Sequence, residues 1–191
     1  MTASQQNRSE DQAAQILLGE ARALLKSGDE RQFFDRLFAG AAGDDIDRST
    51  AEGLAALARM AWAEALQHKS GDIRVAVLED GNARDPESVV VAVNDDRPFL
   101  FDTALAAAIA AGARIRMAFH PMLEIAGKPT SVIVLVTDAI AQGPAQAALK
   151  DALTASFVQG RDAVRDWKAM LARLKQAREG LAAHPPKGVD I

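Results

Sequence analysis

SVVVAVNDDRPFLFDT, residues 88 to 103, decides how the rest of the chain is read. Val89 to Val93 is an unbroken apolar run, which suits a strand covered on both faces better than one with a wet side. Asn94-Asp95-Asp96 ends it, and Pro98 suits the first turn of a following helix. That helix runs through an alanine-rich stretch to Ala111 and is stopped by Gly112. Beyond it, Ile115, Met117 and Phe119 alternate with Arg114, Arg116 and His120, as an amphipathic edge strand should. Gly127 to Thr130 reads as a turn, Val132 to Val136 as a second solid apolar strand, and Gly143-Pro144 as the opening of a long helix. Its apolar stripe runs through Leu153, Phe157, Val164, Trp167, Leu171 and Leu174.

Strand, helix, strand, strand, helix is a ferredoxin-like split βαβ core without its last strand. The vacant position beside the first strand needs an antiparallel partner. Ile73, Val75 and Val77 alternate with Arg74 and Ala76 just upstream, and Asp80-Gly81 and Pro86 supply turn residues between. The expected sheet order is therefore 73–78, 88–94, 131–137, 114–123. The fold class is α+β: an antiparallel four-stranded sheet with two helices on one face, preceded by N-terminal helices; these helices, or a second subunit, cover the other face.

Three amphipathic segments precede the sheet. The first spans Ala13 to Leu25 with Gly28 as its stop. The second carries Phe33, Phe34, Leu37 and Phe38 and ends at Gly40; residues 39–47 read as a loop. The third opens at a capping box formed by Ser49 and Glu52 and runs through Leu54, Leu57, Met60, Trp62 and Ala65 toward Gly71. Their stripes fit core packing, with a partner-binding groove as the alternative. The organisation expected is a disordered tail over 1–12, a helical region over 13–71, the α+β domain with its long helix over 72–178, and a linker over 179–191.

Composition narrows function mainly by exclusion. The chain has 191 residues and a net charge of −4, so its surface does not favour nucleic acid or an anionic membrane. It has no cysteine, which removes disulfides, thiolate catalysis and sulfur-ligated zinc. No apolar run approaches the roughly 20 residues that span a bilayer, and the polar start lacks a secretory core; a cytoplasmic protein is expected. No G-x-G-x-x-G, P-loop, H-E-x-x-H or G-x-S-x-G motif is present. His68, His120 and His184 fall in three separate elements, so no metal site is expected and no catalytic residue is assigned.

The 94–103 segment reads in two ways. Helix N-termini attract carboxylates and phosphates, so Asn94, Asp95, Asp96, Arg97, Phe99, Asp102 and Thr103 are candidate ligand-binding residues. The plainer reading is a strand-to-helix turn whose aspartates cap the helix, with Phe99 and Leu100 as core. His120-Pro121 closes the amphipathic strand; the plainer reading is a partly exposed edge histidine held extended by the proline, and the alternative, which adds His120 to the candidate set, sets it beside the 94–103 turn of a neighbouring subunit.

Asn94-Asp95-Asp96-x-Pro98-Phe99-Leu100-x-Asp102-Thr103 closely resembles the N-D-D-x-P-F-L-x-D-S/T segment in the first ACT-like domain of the large bacterial NAD-specific glutamate dehydrogenases. His120-Pro121 and Arg48-Ser49 match further, weaker motifs of that family. Asp166-Trp167, Met170-Leu171 and Leu174 match its D-W-x-x-M-L-x-x-L pattern. The resemblance implies an ACT-like regulatory and assembly domain that is inactive alone. The parent enzyme would deaminate glutamate oxidatively with NAD through a catalytic domain further downstream, and this chain would hold no cofactor itself. It also implies an amino-acid effector, a homo-oligomer, and the 94–103 loop as the effector's place. Many amino-acid-binding ACT domains have glycine after the loop proline, where this chain has Phe99, a bulky group for such a pocket. The alternatives are a freestanding ACT-like amino-acid sensor and a purely structural subunit-contact module.

Overall fold

The computed structural model describes residues 3–80 and 86–184. Four helices come first: α1 (Ala3–Ala23), α2 (Gly28–Leu37), α3 (Gly43–Ile46) and α4 (Ala51–Leu66). Then follow β1 (Ile73–Asp80), β2 (Glu87–Asp95), α5 (Leu100–Ala110), β3 (Ile115–Phe119), β4 (Met122–Ile125), β5 (Lys128–Asp138) and α6 (Pro144–Ala183). The sheet is antiparallel in the order β1-β2-β5-β3, the order expected from the sequence. β1 meets β2 from Ile73 opposite Asn94 to Asp80 opposite Glu87, so the upstream strand fills the vacant edge. The expected turn residue Gly81 lies outside the described residues.

One strand differs. The expected edge strand 114–123 is broken at His120-Pro121 into β3 and β4, which makes five strands. Proline has no N–H for the ladder. A register shift between Ile115 and Met117 further loosens this edge. β4 returns to β5 through a two-residue turn in which Ala126 and Gly127 both have positive φ, the geometry that matches strand twist in a tight hairpin.

The two central strands are buried on both faces, as their composition demands. Val89, Val91, Val93, Val132, Val134 and Val136 join α1, α2 and α4 in one apolar cluster. Val90, Ala92, Ile133 and Leu135 join α5 and the first part of α6, through Leu149, Leu153 and Phe157, in a second. The N-terminal helices therefore share a core with the sheet.

Several boundaries move. α1 begins at Ala3, so most of the segment expected to be a disordered tail is helical. Gly28 opens α2 instead of stopping α1: Ser27 Oγ accepts from the Glu30 amide at 3.0 Å, and Glu30 accepts from the Ser27 amide at 3.2 Å, a capping box. The box expected at Ser49 and Glu52 is replaced by Thr50, whose hydroxyl accepts from the Gly53 amide at 3.0 Å. A short helix, α3, interrupts the expected 39–47 loop. α6 continues to Ala183, into the expected linker, whose later residues 185–191 lie outside the described ones. Its stripe is covered only in part: Leu153 and Phe157 are core, whereas Trp167, Leu171 and Leu174 are exposed.

The cap assignment is testable. Thr50→Ala should lower unfolding free energy by about 1 kcal/mol, and Ser49→Ala should change it little, both read from urea denaturation.

Candidate functional site

The 94–103 segment leaves the sheet at the end of β2. Asn94 stands opposite Ser131, and Asp95 opposite Thr130. The Asp96 amide adds one more bond, to the Pro129 carbonyl at 3.0 Å. The chain then turns over Pro98 and enters α5 at Leu100. Phe99 is the residue before the helix, in the left-handed region at φ 68°, ψ 9°, and α5 has no side-chain cap. The aspartates expected to cap the helix do not do so. Pro98 lies ahead of the helix, not in its first turn. Phe99 is 70% exposed, so it is neither core nor a pocket plug. It occupies a conformation that glycine takes without penalty.

The other candidates fall into two groups on opposite faces of the sheet. Asp95 faces the N-terminal helices. It accepts from the Gly71 amide at 2.9 Å and the Ser70 hydroxyl at 3.1 Å, and lies 3.1 Å from Nε2 of His68, whose side chain is only 3% exposed. Lys128 Nζ donates to Ser70 at 2.8 Å. Burial pushes the Asp95 carboxyl up, but the hydrogen bonds from His68, Gly71 and Ser70 outweigh it and hold it below the usual value. Asp95 thus ties the α4–β1 connection to the end of β2. Arg97 makes only a long contact, 3.4 Å, to the Asp95 carbonyl.

On the α5 face lies a buried polar row. Asn94 and Ser131 are both 0% exposed. His120 Nε2 is 2.8 Å from Ser131 Oγ. The imidazole stacks on Phe101 with centroids 5.2 Å apart and planes at 1°. His120 therefore meets the 94–103 segment of its own chain. Burial lowers its pKa, against the pull of Asp96 and Asp102, and so favours the neutral imidazole. Asn94 differs from its neighbours: neither its amide nitrogen nor its carbonyl oxygen has a hydrogen-bond partner. Asp96 and Asp102 are exposed at the mouth of the turn. Thr103 sits on α5 toward α6, its hydroxyl 3.9 Å from where a Cβ on Gly160 would stand. Ser131, Phe101 and His68 were not singled out from sequence; a lone polar residue opening the apolar run of β5 was the available signal for Ser131.

A cleft of about 620 Å³ opens at the opposite end of the sheet, between the start of α4 and β3, with Arg48, Thr50 and Arg114 in its wall. There Arg116 bridges Glu87 and Asp138, each at 2.6 Å. Two smaller clefts of about 330 and 390 Å³ lie by Trp62 and by Arg74. None of the three borders residues 94–103 or His120. Among the described residues, no group of three or more acids and histidines is placed to hold a metal ion, and no helix is long and apolar enough to cross a membrane.

A family model of the glutamate dehydrogenase ACT1 domain matches residues 33–172. The chain belongs to that family. The match runs from the second half of α2 through most of α6, and so takes in the strand-to-helix turn, the His120 break and helices on both faces. Searches of curated proteins and of solved structures gave no match. As an ACT1 domain of a glutamate dehydrogenase, the chain carries an antiparallel sheet between helices and a strand-to-helix turn with Phe99 in the left-handed conformation.

Three substitutions check this geometry. Phe99→Gly should relieve the left-handed strain, about 1–2 kcal/mol, offset in part by glycine's larger chain entropy. The net expectation is a gain of about 0.5–1 kcal/mol, and Phe99→Ala should be nearly neutral. Asp95→Asn should cost about 1–2 kcal/mol at neutral pH. A carboxyl whose folded pKa is depressed contributes stability above its unfolded value of about 3.9 and loses it as pH falls through the folded value. The gap between wild type and variant should therefore close below about pH 4. A gap unchanged from pH 7 to 3 would show that the charge of Asp95 does not matter.

Proposed function

We propose that this ACT1 domain is the amino-acid-responsive regulatory segment of an NAD-dependent glutamate dehydrogenase, without catalysis of its own. The family membership supports the enzyme context. The observation that carries responsiveness is Asn94: a side chain with no exposed surface and two unpartnered polar groups, under the turn that ACT domains use for amino acids. A buried, unpaired amide costs about 1–3 kcal/mol, and the left-handed Phe99 adds strain five residues later. Both costs are relieved if the turn opens and a ligand's carboxylate or ammonium group meets Asn94, Ser131 and the first amides of α5. Asp96, Asp102 and Arg97 then stand at the mouth, where both charges of a zwitterion find partners. Binding would bias the equilibrium of the turn, and through α5 and α6 the contact with the enzyme's downstream catalytic domain. The parent enzyme would use NAD, work in the cytoplasm and be a homo-oligomer.

The closed turn specifically favours a second reading. No cleft described above reaches residues 94–103, as suits an assembly element that binds nothing. The experiment that separates the two is a thermal scan against free amino acids, glutamate, aspartate and arginine included, on the wild-type chain and on Asn94→Val. A ligand at 100 times its Kd adds about 2.7 kcal/mol. On the proposal, at least one amino acid raises the Tm of the wild type. Asn94→Val alone raises Tm by removing the unpaired amide, and abolishes the ligand's effect. A wild type indifferent to every amino acid leaves the assembly role, with Asn94 a structural cost.

A further inference from the structure

α6 has 40 residues, and only its first half packs on the sheet. Leu149, Leu153 and Phe157 are buried, whereas Trp167 is 50% exposed, Met170 67%, Leu174 66% and Leu181 52%. These side chains are not scattered. Leu153, Phe157, Gly160, Val164, Trp167, Leu171, Leu174, Arg178 and Leu181 follow one another at alternating intervals of four and three residues. That spacing is a coiled-coil seam, and the one stripe that fills the core at Phe157 runs out uncovered beyond Val164. Part of the seam is the D-W-x-x-M-L-x-x-L string of the sequence.

Charge says what fits it. Residues 158–183 carry six basic side chains (Arg161, Arg165, Lys168, Arg173, Lys175, Arg178) against three acidic ones (Asp162, Asp166, Glu179), so this stretch is +3 in a chain of −4. By heptad position, Arg161 and Lys175 flank the seam on one side, while Ala163, Met170 and Ala177 flank it on the other. The acids stand away from the seam, and two of them are engaged by Arg165, at 3.2 Å to Asp162 and 3.0 Å to Asp166. Arg161 has only a 3.9 Å approach to Asp162. A second copy is a poor occupant. A parallel pair in register would set Arg178 against Arg178 inside the seam, and an antiparallel pair would set the two basic flanks against each other.

We propose that the free half of α6, from Val164 to Leu181, is a docking surface for an amphipathic helix that carries acidic side chains beside its apolar stripe. Trp167, Leu171 and Leu174 supply the apolar contact. Arg161, Lys175 and Arg178 select the charge of the partner. The surface begins one helical turn beyond Gly160, beside which Thr103 lies, and its apolar seam stands whether or not the 94–103 turn binds an amino acid.

The test uses the full chain and two synthetic three-heptad peptides with the same leucine seam, one flanked by glutamate and the other by lysine. The glutamate peptide should bind, shift the emission of Trp167 to the blue, and bind at least ten-fold more weakly when salt is raised from 50 mM to 1 M. Trp62→Phe isolates the Trp167 signal. Leu171→Glu with Leu174→Glu, both on an exposed face, should abolish binding while leaving the melting temperature of the domain within a few degrees. Arg161→Glu with Lys175→Glu should turn the preference toward the lysine peptide. Equal binding of both peptides, or binding of neither, overturns the proposal. So does a concentration-dependent dimer of the chain alone, in sedimentation, that Leu174→Glu dissolves, because the occupant is then a second copy.

Discussion

The β2–β5 pair has no solvent face, and the rest of the structure answers to that. Residues 89–93 and 132–136 are buried at every position, valine after valine. Each such side chain adds roughly 1.5–3 kcal/mol only if something covers it. One helical layer cannot do this, because alternate residues point to opposite faces. Hence α5 and the first half of α6 lie on one side and α1, α2 and α4 on the other. The N-terminal helices are part of the fold for this reason. Without them Val89, Val91, Val93 and the facing valines of β5 would form a wet apolar sheet, prone to association.

The same constraint explains what the sequence made legible. Solid apolar runs announced the two central strands, and alternation announced β1 and β3, so the order of the sheet followed. Where the reading slipped, more than one local signal competed. Ser27-x-x-Glu30 and Ser49-x-x-Glu52 are equally good capping boxes on paper. Ser49 stands next to Thr50, which caps equally well. The choice between them falls to the packing that aims Leu54, Leu57 and Ala61 at the sheet, which no four-residue window contains. Pro121 did carry the signal for the broken edge strand, since a proline in a strand removes a ladder bond. Periodicity placed the stripe of α6 correctly but could not say where its cover ends, because a 3.5-residue repeat reads the same whether the partner is the chain's own sheet or another helix.

The candidate site was legible as a place more than as a set of roles. Residues 94–103 do form the strand-to-helix turn. Asp95, though, is taken up by His68, 27 residues upstream, and by the Ser70-Gly71 backbone turn, a contact that depends on how α4 returns to β1. His120 reaches the turn through its own chain, by stacking on Phe101. The left-handed residue at position 99 was hidden because glycine, its usual sign, is absent; φ above zero at a phenylalanine leaves no mark in composition.

β2 itself supplies the contrast that gives Asn94 its meaning. Ser88, Val90, Ala92 and Asn94 share the face toward α5 and α6, with a polar residue at each end. At the first end the Ser88 hydroxyl accepts from the Ile140 amide at 3.0 Å, and its carbonyl accepts from the Thr137 hydroxyl at 3.3 Å. That polar end is fully employed in closing the link between β5 and α6. At the other end the Asn94 side-chain amide, equally buried, has no hydrogen-bond partner, although Ser131 stands directly across the ladder with its hydroxyl 2.8 Å from His120 Nε2. A valine in place of Asn94 would fill similar space without an unpaired group, so stability alone does not account for an asparagine there. On the proposed reading, the unpaired group of Asn94 is what an opened turn would offer a ligand.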